Sequence, residues 1–363
     1  MSETTPARAA PVAPEDIEVI APNFKRRLSG VTATVVRLVP VQAHDICIVA
    51  SGPVIPVHVP QISLLRLITL PRRGPGPNGT RVWHARRNVE MIGGLVLRHL
   101  LRKRLKLMFT SASQRRQTGL TRWLIRRMDA VVATSEKTAG YLEGPAEVIM
   151  HGIDLQDFSP PTDRAKLRRQ LGVSDQGPVI GCYGRIREQK GTDVYVKAMI
   201  GLLQQLPSAT ALVMGRATEA HRAFENELKS QIAAAGLTER LRFMPEVPTE
   251  QMADWYRILD LYVAPQRWEG FGLTPIEAMA CGCPVVATRV GAFEALVADG
   301  QTGTLVDAGN ADAIQRAAFD ILSNPEKYRE MMQNARAHVM QHFSIATEAA
   351  ALVAVYRRLL TSA

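Results

Sequence analysis

Two cationic side chains lie close together directly after a short apolar run. Arg185 follows the run 178–183 and Gly184, and Lys190 comes five residues after Arg185, next to Gly191. Arg binds anionic oxygens as a planar fork and Lys binds them as a point charge, so this pair suits a diphosphate. The alternative is a solvated, charged loop. The spacing matches neither the phosphate loop of nucleotide hydrolases nor the glycine fingerprint of dinucleotide-binding proteins.

The segment 269–277 reads EGFGLTPIE and carries a glutamate at each end. Thr274, Pro275 and Glu277 predict a helix start with a capping box, so capping alone would explain Glu277. Glu269 lacks that explanation, because it precedes a glycine loop beside a helix N-terminus, a place that attracts anions. A carboxylate at Glu269 would accept hydrogen bonds from the hydroxyl groups of a ligand.

Two carboxylates in one site could also hydrolyse a glycosidic bond, which requires an acid and a nucleophile or base. The sequence does not give the separation of Glu269 and Glu277. Hydrolysis would leave Arg185 and Lys190 without a role, so we expect ligand binding here.

His84 ends a predicted strand, 80–84, and the segment Arg86-Arg87-Asn88 follows it. An imidazole at a strand end can donate or accept a proton near a reacting group. The alternative is a structural histidine that is hydrogen-bonded within a turn.

The four cysteines do not have the spacing of a metal site. Cys47 and Cys182 lie in apolar runs and are expected to be buried thiols, and Cys281 and Cys283 form a single close pair. A structural zinc site needs four ligands, and no second Cys or His pair stands at zinc spacing. We therefore expect no metal.

The basic charge of this chain belongs to its first half. Residues 1–150 hold 22 Lys and Arg against 10 Asp and Glu, a net charge of +12, whereas residues 151–363 carry −2. Such asymmetry indicates a polyanionic partner of the first half, either nucleic acid, acidic lipid or acidic glycan. The alternative is a highly soluble surface. A nucleic-acid binder would usually add stacking aromatics or a recognition helix, and neither is found.

The chain of 363 residues is long enough for two domains. Residues 1–14 are rich in Ala, Pro and Thr and are predicted to form a disordered tail. Strand and helix patterns alternate over 15–160 and again over 161–343, with a linker at 160–161, and a helix over 344–363 is expected to pack back on the first domain. The predicted strands are 17–21, 45–49, 80–84, 106–110, 130–134, 178–183, 210–214, 241–244, 261–264, 284–288 and 304–306.

Alternating strands and helices predict an α/β fold of two doubly wound, Rossmann-like domains with parallel sheets. The carboxyl ends of both sheets would then face one cleft, where ligands of such folds bind. No apolar run reaches the roughly 18 residues that a membrane span requires, so we expect a cytoplasmic protein.

The second domain resembles the family 4 retaining glycosyltransferases of the GT-B fold. The first domain resembles one subset of them, the bacterial lipopolysaccharide-core mannosyltransferases, which use GDP-mannose. The segments that carry the likeness are GRIREQKG (184–191), FMPEV (243–247), EGFGLTPIE (269–277), AMACGCPVV (278–286), HARRN (84–88) and TSASQ (110–114).

The resemblance implies a role for each candidate residue. Arg185 and Lys190 would hold the diphosphate of a nucleotide-sugar donor, Glu269 would hold the sugar hydroxyls, and Glu277 would bind the ribose. The implied catalytic residues are His84, Glu269, Arg185 and Lys190. The other implied donor-binding residues are Gly30 and Gly184, Glu246 and Val247 near the base, and Gly270, Phe271, Gly272 and Leu273 near the sugar.

The resemblance also implies retention of the anomeric configuration and no metal or cofactor. Arg185 and Lys190 can stabilise the charge of the leaving diphosphate, which is the task of a metal in other enzymes. The chain departs from the family where His151 replaces a common Asn, and where Ser111 or Ala112 replaces a common His. The role of His151 therefore stays open, and His84 is the main histidine candidate.

The resemblance suggests a function for the basic first half of the chain. Leu and Val alternate with Arg98, Arg102, Lys103, Arg104 and Lys106 over 95–106, and five arginines surround Trp123 over 115–127. Such a cationic, amphipathic surface can bind anionic lipid, so we expect a peripheral enzyme on the inner face of the cytoplasmic membrane with an acidic, lipid-linked glycan acceptor. The alternative is a helix packed on its sheet with a solvated basic edge.

Three other functions remain compatible with the sequence. The donor could be linked to UDP or ADP instead of GDP, because the base is expected to contact only the backbone. A sugar-nucleotide epimerase would use the same donor site, and a nucleic-acid-binding protein would use the basic half.

Overall fold

The computed structural model describes residues 9–26 and 30–362 and divides the chain into two compact units. The first unit contains the chain up to His151 together with the segment from Ile345 onward. The second unit is Gly152–Ser344. The linker that the sequence predicts at 160–161 therefore lies inside the second unit.

The predicted tail is partly described, since residues 1–8 lie outside the described residues. Ala9 donates a backbone hydrogen bond to the carbonyl of Val57 (3.0 Å), and the carbonyl of Pro14 accepts one from Arg81 (2.8 Å). These bonds tie the segment 9–14 to the first unit, where its composition alone predicts disorder.

Twelve strands are found in the described part of the chain, and nearly all of them are buried. Those of the first unit are β1 (Val19–Pro22), β2 (Ile48–Ser51), β3 (Arg81–Ala85), β4 (Leu105–Ser111), β5 (Ala130–Ala133) and β6 (Glu147–Val148). Those of the second unit are β7 (Val179–Tyr183), β8 (Thr210–Met214), β9 (Leu241–Met244), β10 (Leu261–Ala264), β11 (Val285–Thr288) and β12 (Gly303–Val306).

Helices alternate with these strands along the described chain. They are α1 (Gly30–Gln42), α2 (Leu64–Thr69), α3 (Asn88–His99), α4 (Gly119–Ile125), α5 (Glu136–Ala139), α6 (Arg164–Gln170), α7 (Thr192–Gln205), α8 (Arg222–Ala234), α9 (Met252–Arg257), α10 (Thr274–Ala280), α11 (Phe293–Leu296), α12 (Ala311–Ser323), α13 (Pro325–His342) and α14 (Ile345–Thr361). None of the described helices is both long and apolar enough to cross a membrane.

Both sheets are parallel and doubly wound. The strand order is β2-β1-β3-β4-β5-β6 in the first unit and β12-β11-β10-β7-β8-β9 in the second. The order reverses between β1 and β3 and between β7 and β10. The carboxyl ends of these strand pairs form the switch points, where ligands bind in folds of this kind.

The predicted fold of two parallel, Rossmann-like α/β domains is confirmed. Each predicted strand overlaps an observed one, because runs of buried, β-branched residues are typical of parallel sheets. The sequence missed β6, which is only two residues long and contains the exposed Glu147.

Alternate residues of the first sheet point into two separate cores. Val19 and Val82 pack with α1 and α14 on one face, whereas Ile20 and Trp83 pack with α3 on the other. Buried apolar residues of α14, including Tyr356, complete the first of these cores. The last helix of the chain is therefore part of the first unit.

Candidate active site

The loop after β7 carries the two predicted diphosphate cations. Gly184 and Arg185 are exposed at the carboxyl end of the strand, and Lys190 ends a short 3-10 turn, Glu188–Lys190. Gly191 follows with φ +70°, and a Cβ there would lie 1.9 Å from the carbonyl oxygen of Pro265. Only glycine allows this close approach, which fixes the loop against the segment that follows β10.

Lys190 and Glu269 meet across these two loops. The ammonium of Lys190 forms an ion pair with Oε2 of Glu269, and the backbone N–H of Gly270 donates to Oε1 at 3.0 Å. The side chains of Lys190 and Glu269 are 22 % and 17 % exposed. Two residues that the sequence assigns to the diphosphate and to the sugar hydroxyls are therefore direct partners here.

Arg267 is a member of this site that the sequence analysis missed. Its guanidinium donates to both carboxylate oxygens of Asp193 at 2.7 Å and to the carbonyl of Glu188 at 2.7 Å. The hydrogen bond to Asp193 raises the pKa of Arg267. This clamp holds the cationic loop after β7 to the loop after β10, and the signal in the sequence was a single Arg two residues before Glu269.

Glu277 does not cap the helix that begins beside it. α10 begins at Thr274 and its N-cap residue is Leu273, so Thr274 is the first helical residue and the predicted capping box, with Thr274 as its N-cap, is wrong. The carboxylate of Glu277 instead accepts a hydrogen bond from the hydroxyl of Tyr256 at 2.8 Å. Burial, followed by the charge of Glu277, raises the pKa of Tyr256 well above its ordinary value, so this hydroxyl remains a donor.

The remaining predicted residues of the second unit lie in the loop before α10 and in the loop after β9. Phe271 is buried, and Gly270 and Gly272 flank it immediately before α10. Glu246 and Val247 follow β9, and the exposed carboxylate of Glu246 lies 3.6 Å from the guanidinium of Arg216.

Gln266 is a second residue that the sequence analysis missed. It is 3 % exposed, and its Oε1 has no hydrogen-bond partner within the described ranges. It lines one small depression together with Gly184, Arg185 and Lys190. A buried acceptor without a donor costs free energy unless a ligand or water satisfies it.

The second unit thus gathers its predicted residues at one edge of its sheet. The loops after β7 and β10 flank the switch point and hold Arg185, Lys190 and Glu269, and the loop after β9 holds Glu246 and Val247. Because the strands are parallel, all these loops leave the sheet at the carboxyl edge.

The predicted residues Gly30 and His84 belong to the first unit. Gly30 is the exposed first residue of α1, and a Cβ added to it would meet nothing within 4 Å. The three residues before it, 27–29, lie outside the described residues.

His84 is buried in β3 instead of open at its end. Its Nδ1 lies 2.6 Å from the hydroxyl of Tyr356 on α14, and its Nε2 lies 2.7 Å from Oγ1 of Thr110. Burial, and secondarily the charge of Arg86, lowers the pKa of His84 well below its ordinary value. The imidazole is neutral and fully hydrogen-bonded, as a structural histidine would be, so its catalytic role stays a prediction without support from this geometry.

His151 pairs with another part of the first unit. Its Nδ1 lies 2.7 Å from a carboxylate oxygen of Glu348 on α14. This contact gives His151 a structural role in holding α14.

The cysteines are all free thiols, and three of them are buried. Burial raises the pKa of Cys182 and of Cys281 to about 12. Cys47 is partly exposed, which differs from the predicted burial. Within the described residues no group of three His, Cys, Asp or Glu side chains could hold a metal.

Comparison with known proteins decides the family. The family model of group 1 glycosyl transferases matches residues 163–338. The chain is 51 % identical to the lipopolysaccharide core biosynthesis mannosyltransferase LpsB of Rhizobium meliloti, over 95 % of this chain and 98 % of that protein. The chain belongs to the group 1 glycosyltransferases.

Two further likenesses agree with this assignment. The glycosyltransferase is 49 % identical to the lipopolysaccharide core biosynthesis mannosyltransferase LpcC of Rhizobium leguminosarum, over 95 % of this chain and 97 % of that one. The solved structure of Alr3699/HepE of Anabaena in complex with UDP has a TM-score of 0.80 at 20 % identity, and the match covers 93 % and 99 % of the two chains. At that identity the structural likeness shows the GT-B fold alone.

Proposed function

We propose that this glycosyltransferase moves mannose from GDP-mannose to a lipopolysaccharide inner-core acceptor with retention of configuration. The printed names of LpsB and LpcC support the sugar and the acceptor. The observation that carries the proposal is the pairing of Lys190 with Glu269 next to Arg185, at the switch point of the second unit.

The ion pair suggests how the site receives its donor. A bound diphosphate offers Lys190 a more highly charged partner than one carboxylate, so the ammonium moves from Glu269 to the phosphate oxygens. Glu269 then becomes available to accept hydrogen bonds from the sugar hydroxyls. Gly270 already donates to Oε1 and keeps the carboxylate oriented during this exchange.

Arg185 and Lys190 supply positive charge where negative charge grows as the glycosidic bond breaks. Groups that are already in position when this charge develops contribute strongly to catalysis. We propose that these two cations let the transfer proceed without metal or cofactor, and that a leaving phosphate oxygen takes the proton of the acceptor hydroxyl.

The other residues of the site complete the proposed donor contacts. Glu277, held by Tyr256, binds the ribose hydroxyls, and the backbone at Glu246 and Val247 meets the base. Gly184, Phe271, Gly272 and Leu273 present backbone to the phosphates and the sugar.

We further propose that the first unit binds an anionic membrane surface and an acidic, lipid-linked glycan. α3 and its C-cap residue expose an apolar row at helical spacing, Val89, Ile92, Val96 and Leu100, and α4 exposes Leu120 and Trp123. Arginines surround this surface, and the guanidinium of Arg127 stacks on Trp123 at 3.5 Å. Apolar side chains surrounded by cations are typical of helices at lipid interfaces.

Part of the cationic stretch predicted over 95–106 has a structural role instead. Lys103 is buried and donates to the carbonyl of Leu70, Arg98 pairs with Asp129 at 2.7 Å, and Lys106 lies in β4. These side chains hold strands and turns, so the proposed membrane surface rests on the exposed residues of α3 and α4.

The experiment that tests the donor is a thermal-shift screen of GDP-, UDP- and ADP-linked hexoses, because a ligand that binds the folded state raises the Tm. GDP-mannose should give the largest shift, and with an inner-core lipid acceptor it should release GDP and form an α-linked product. A larger shift with a UDP- or ADP-sugar would contradict the proposal that the donor nucleotide is GDP. An altered sugar nucleotide formed without acceptor would favour epimerase activity, and free mannose would favour hydrolysis.

A further inference from the structure

A cavity of about 540 Å³ opens in the first unit at the carboxyl ends of β3 and β4. It lies entirely within residues of the first unit, beside the switch point between β1 and β3. The residues that carry the argument are Lys25, Arg86, Arg87, Arg115, Arg116 and Gln117.

The lining of this cavity is strongly positive. Five of its side chains are Lys or Arg, and none is Asp or Glu. Arg87 forms an ion pair with Glu90 at 3.0 Å. Lys25, Arg115 and Arg116 form no ion pair with any residue that the structure describes, so their charges are available to a ligand.

Two buried donors in the lining lack an acceptor. Nε2 of Gln117 and Nη2 of Arg86 are shielded from solvent and have no hydrogen-bond partner within the described part of the chain. A buried donor without an acceptor costs free energy. The oxygen atoms of a phosphate, a carboxylate or a sugar could accept hydrogen bonds from both donors.

The start of α3 adds to the positive potential. This helix of 12 residues begins at Asn88, and its N-cap residue Arg87 provides no side-chain cap. The N-terminus of a helix carries partial positive charge and unpaired N–H groups, and both favour an anion. Asn88 and Val89 line the cavity from this helix end.

We infer that this cavity binds the acidic group, a phosphate or a carboxylate, of a sugar in the glycan acceptor. The inference rests on the proposed glycosyl transfer and names the acceptor subsite. The volume suits one or two sugar rings, since small-molecule sites span about 300–1,000 Å³. A concave site of this size also fits a sugar better than it fits a flat lipid surface.

The test is ligand-observed NMR on the full chain with three probes. Mannose 6-phosphate carries a phosphate, galacturonic acid carries a carboxylate, and methyl mannoside is neutral. We expect one or both acidic probes to bind and methyl mannoside to bind at least tenfold more weakly. The stronger acidic probe identifies the group that the cavity recognises.

Variants assign this binding to the cavity. R115A/R116A should weaken binding of the acidic probes by about tenfold or more, because it removes two charged hydrogen-bond donors from the cavity. Gln117→Leu should weaken them with no change in net charge. R72A/R73A is the matched control, because it removes two exposed arginines of the same unit outside the cavity and should leave binding unchanged. The titrations are repeated on an R185A background, which removes binding at the donor site.

Three outcomes would overturn the inference. In the first, R115A/R116A and R72A/R73A bind the acidic probes equally well, and in the second, methyl mannoside binds as well as the acidic probes. In the third, R115A/R116A loses binding to phosphatidylglycerol vesicles but still binds the probes. The Tm shift with GDP-mannose is measured in parallel on each variant. If GDP-mannose does not raise the Tm of the native chain, the proposed function is wrong. If GDP-mannose raises the Tm but the chain binds acidic and neutral probes equally, only the inference about the cavity is wrong.

Discussion

At the scale of single residues, the proposed donor site depends on partners that are distant in sequence. Glu269 is held by Lys190 and by its own neighbour Gly270, and Glu277 is held by Tyr256. Parts of the chain that are distant in sequence therefore keep both carboxylates in place.

Replacement of either charge at the site should reduce transfer while the fold persists. We expect Glu269→Gln and Arg185→Ala each to lower kcat by about 100-fold, because removal of one preorganised group at a developing charge has effects of this size. Steady-state GDP release with GDP-mannose and acceptor measures the loss. Arg222→Ala is the control, since this exposed arginine pairs with exposed Glu219 and lies outside the proposed site. Native turnover in E269Q or R185A would contradict the assignment.

His84 should make the stability of the first unit depend on pH. Its folded pKa is depressed, so below about pH 6.5 the unfolded chain binds a proton that the folded chain does not. The free energy of unfolding should therefore fall as the pH falls below that value, by up to about 1.4 kcal/mol per pH unit. Urea unfolding at a series of pH values measures the slope.

The matched variant for this effect is His84→Gln, which cannot titrate. It should lose the acid-dependent slope and lower the stability at neutral pH, because Tyr356 or Thr110 then lacks its partner. An unchanged slope would show that His84 titrates normally. Loss of turnover without loss of stability would instead restore His84 as a catalytic candidate.

At the scale of elements, the site depends on two loops locked together. The loop after β7 and the loop after β10 are joined by the Lys190–Glu269 pair, by the Arg267–Asp193 clamp and by the close packing of Gly191 on Pro265. The neighbouring strands β7 and β10 bring both loops to one edge. The positions of Arg185 and Lys190 therefore depend on both loops together.

Gly191→Ala should disturb this lock. A left-handed residue with a Cβ 1.9 Å from a carbonyl oxygen must shift the loop, so we expect a loss of about 3 kcal/mol or more in the second unit and weaker donor binding. Gly236→Ala is the control, because Gly236 has φ +69° in open space and should cost only about 1–2 kcal/mol. Urea unfolding and the GDP-mannose thermal shift measure both effects, and equal costs at the two glycines would contradict the packing argument.

At the scale of the whole chain, charge and exposed apolar surface are distributed unequally. The excess of +12 belongs to residues 1–150, and the apolar surface of α3 and α4 lies in the same unit. The second unit carries the proposed donor residues and a slightly negative charge. This division is expected if the acceptor is acidic and lipid-linked, as we propose.

Removal of exposed apolar residues from α3 and α4 should weaken membrane binding. We expect L100S/W123A to bind phosphatidylglycerol vesicles at least about tenfold more weakly in sedimentation assays, because each large apolar side chain contributes roughly 1.5–3 kcal/mol when buried. F319A/M340S removes two comparable exposed residues from the second unit and should bind normally. Equal binding by the two variants would argue against this surface.

The sequence determined the fold class, and it supplied the residues that we propose for the donor site. Continuous apolar runs such as 261–264 predict parallel strands. A strand is apolar at every position only when both faces of its sheet are covered, and this is typical of parallel sheets. Arg185, Lys190 and Glu269 could be found because their residue types suit a phosphate or a sugar hydroxyl, and this chemistry is local.

Tertiary structure decided which partners those residues have. His84 shares a sheet face with Val82, and that face meets Tyr356, which lies 272 residues away in the chain. Glu277 and Tyr256, the Arg267 clamp and the basic cavity at the start of α3 arise in the same way. They depend on which strands become neighbours, and long-range strand pairing is not encoded in any one segment.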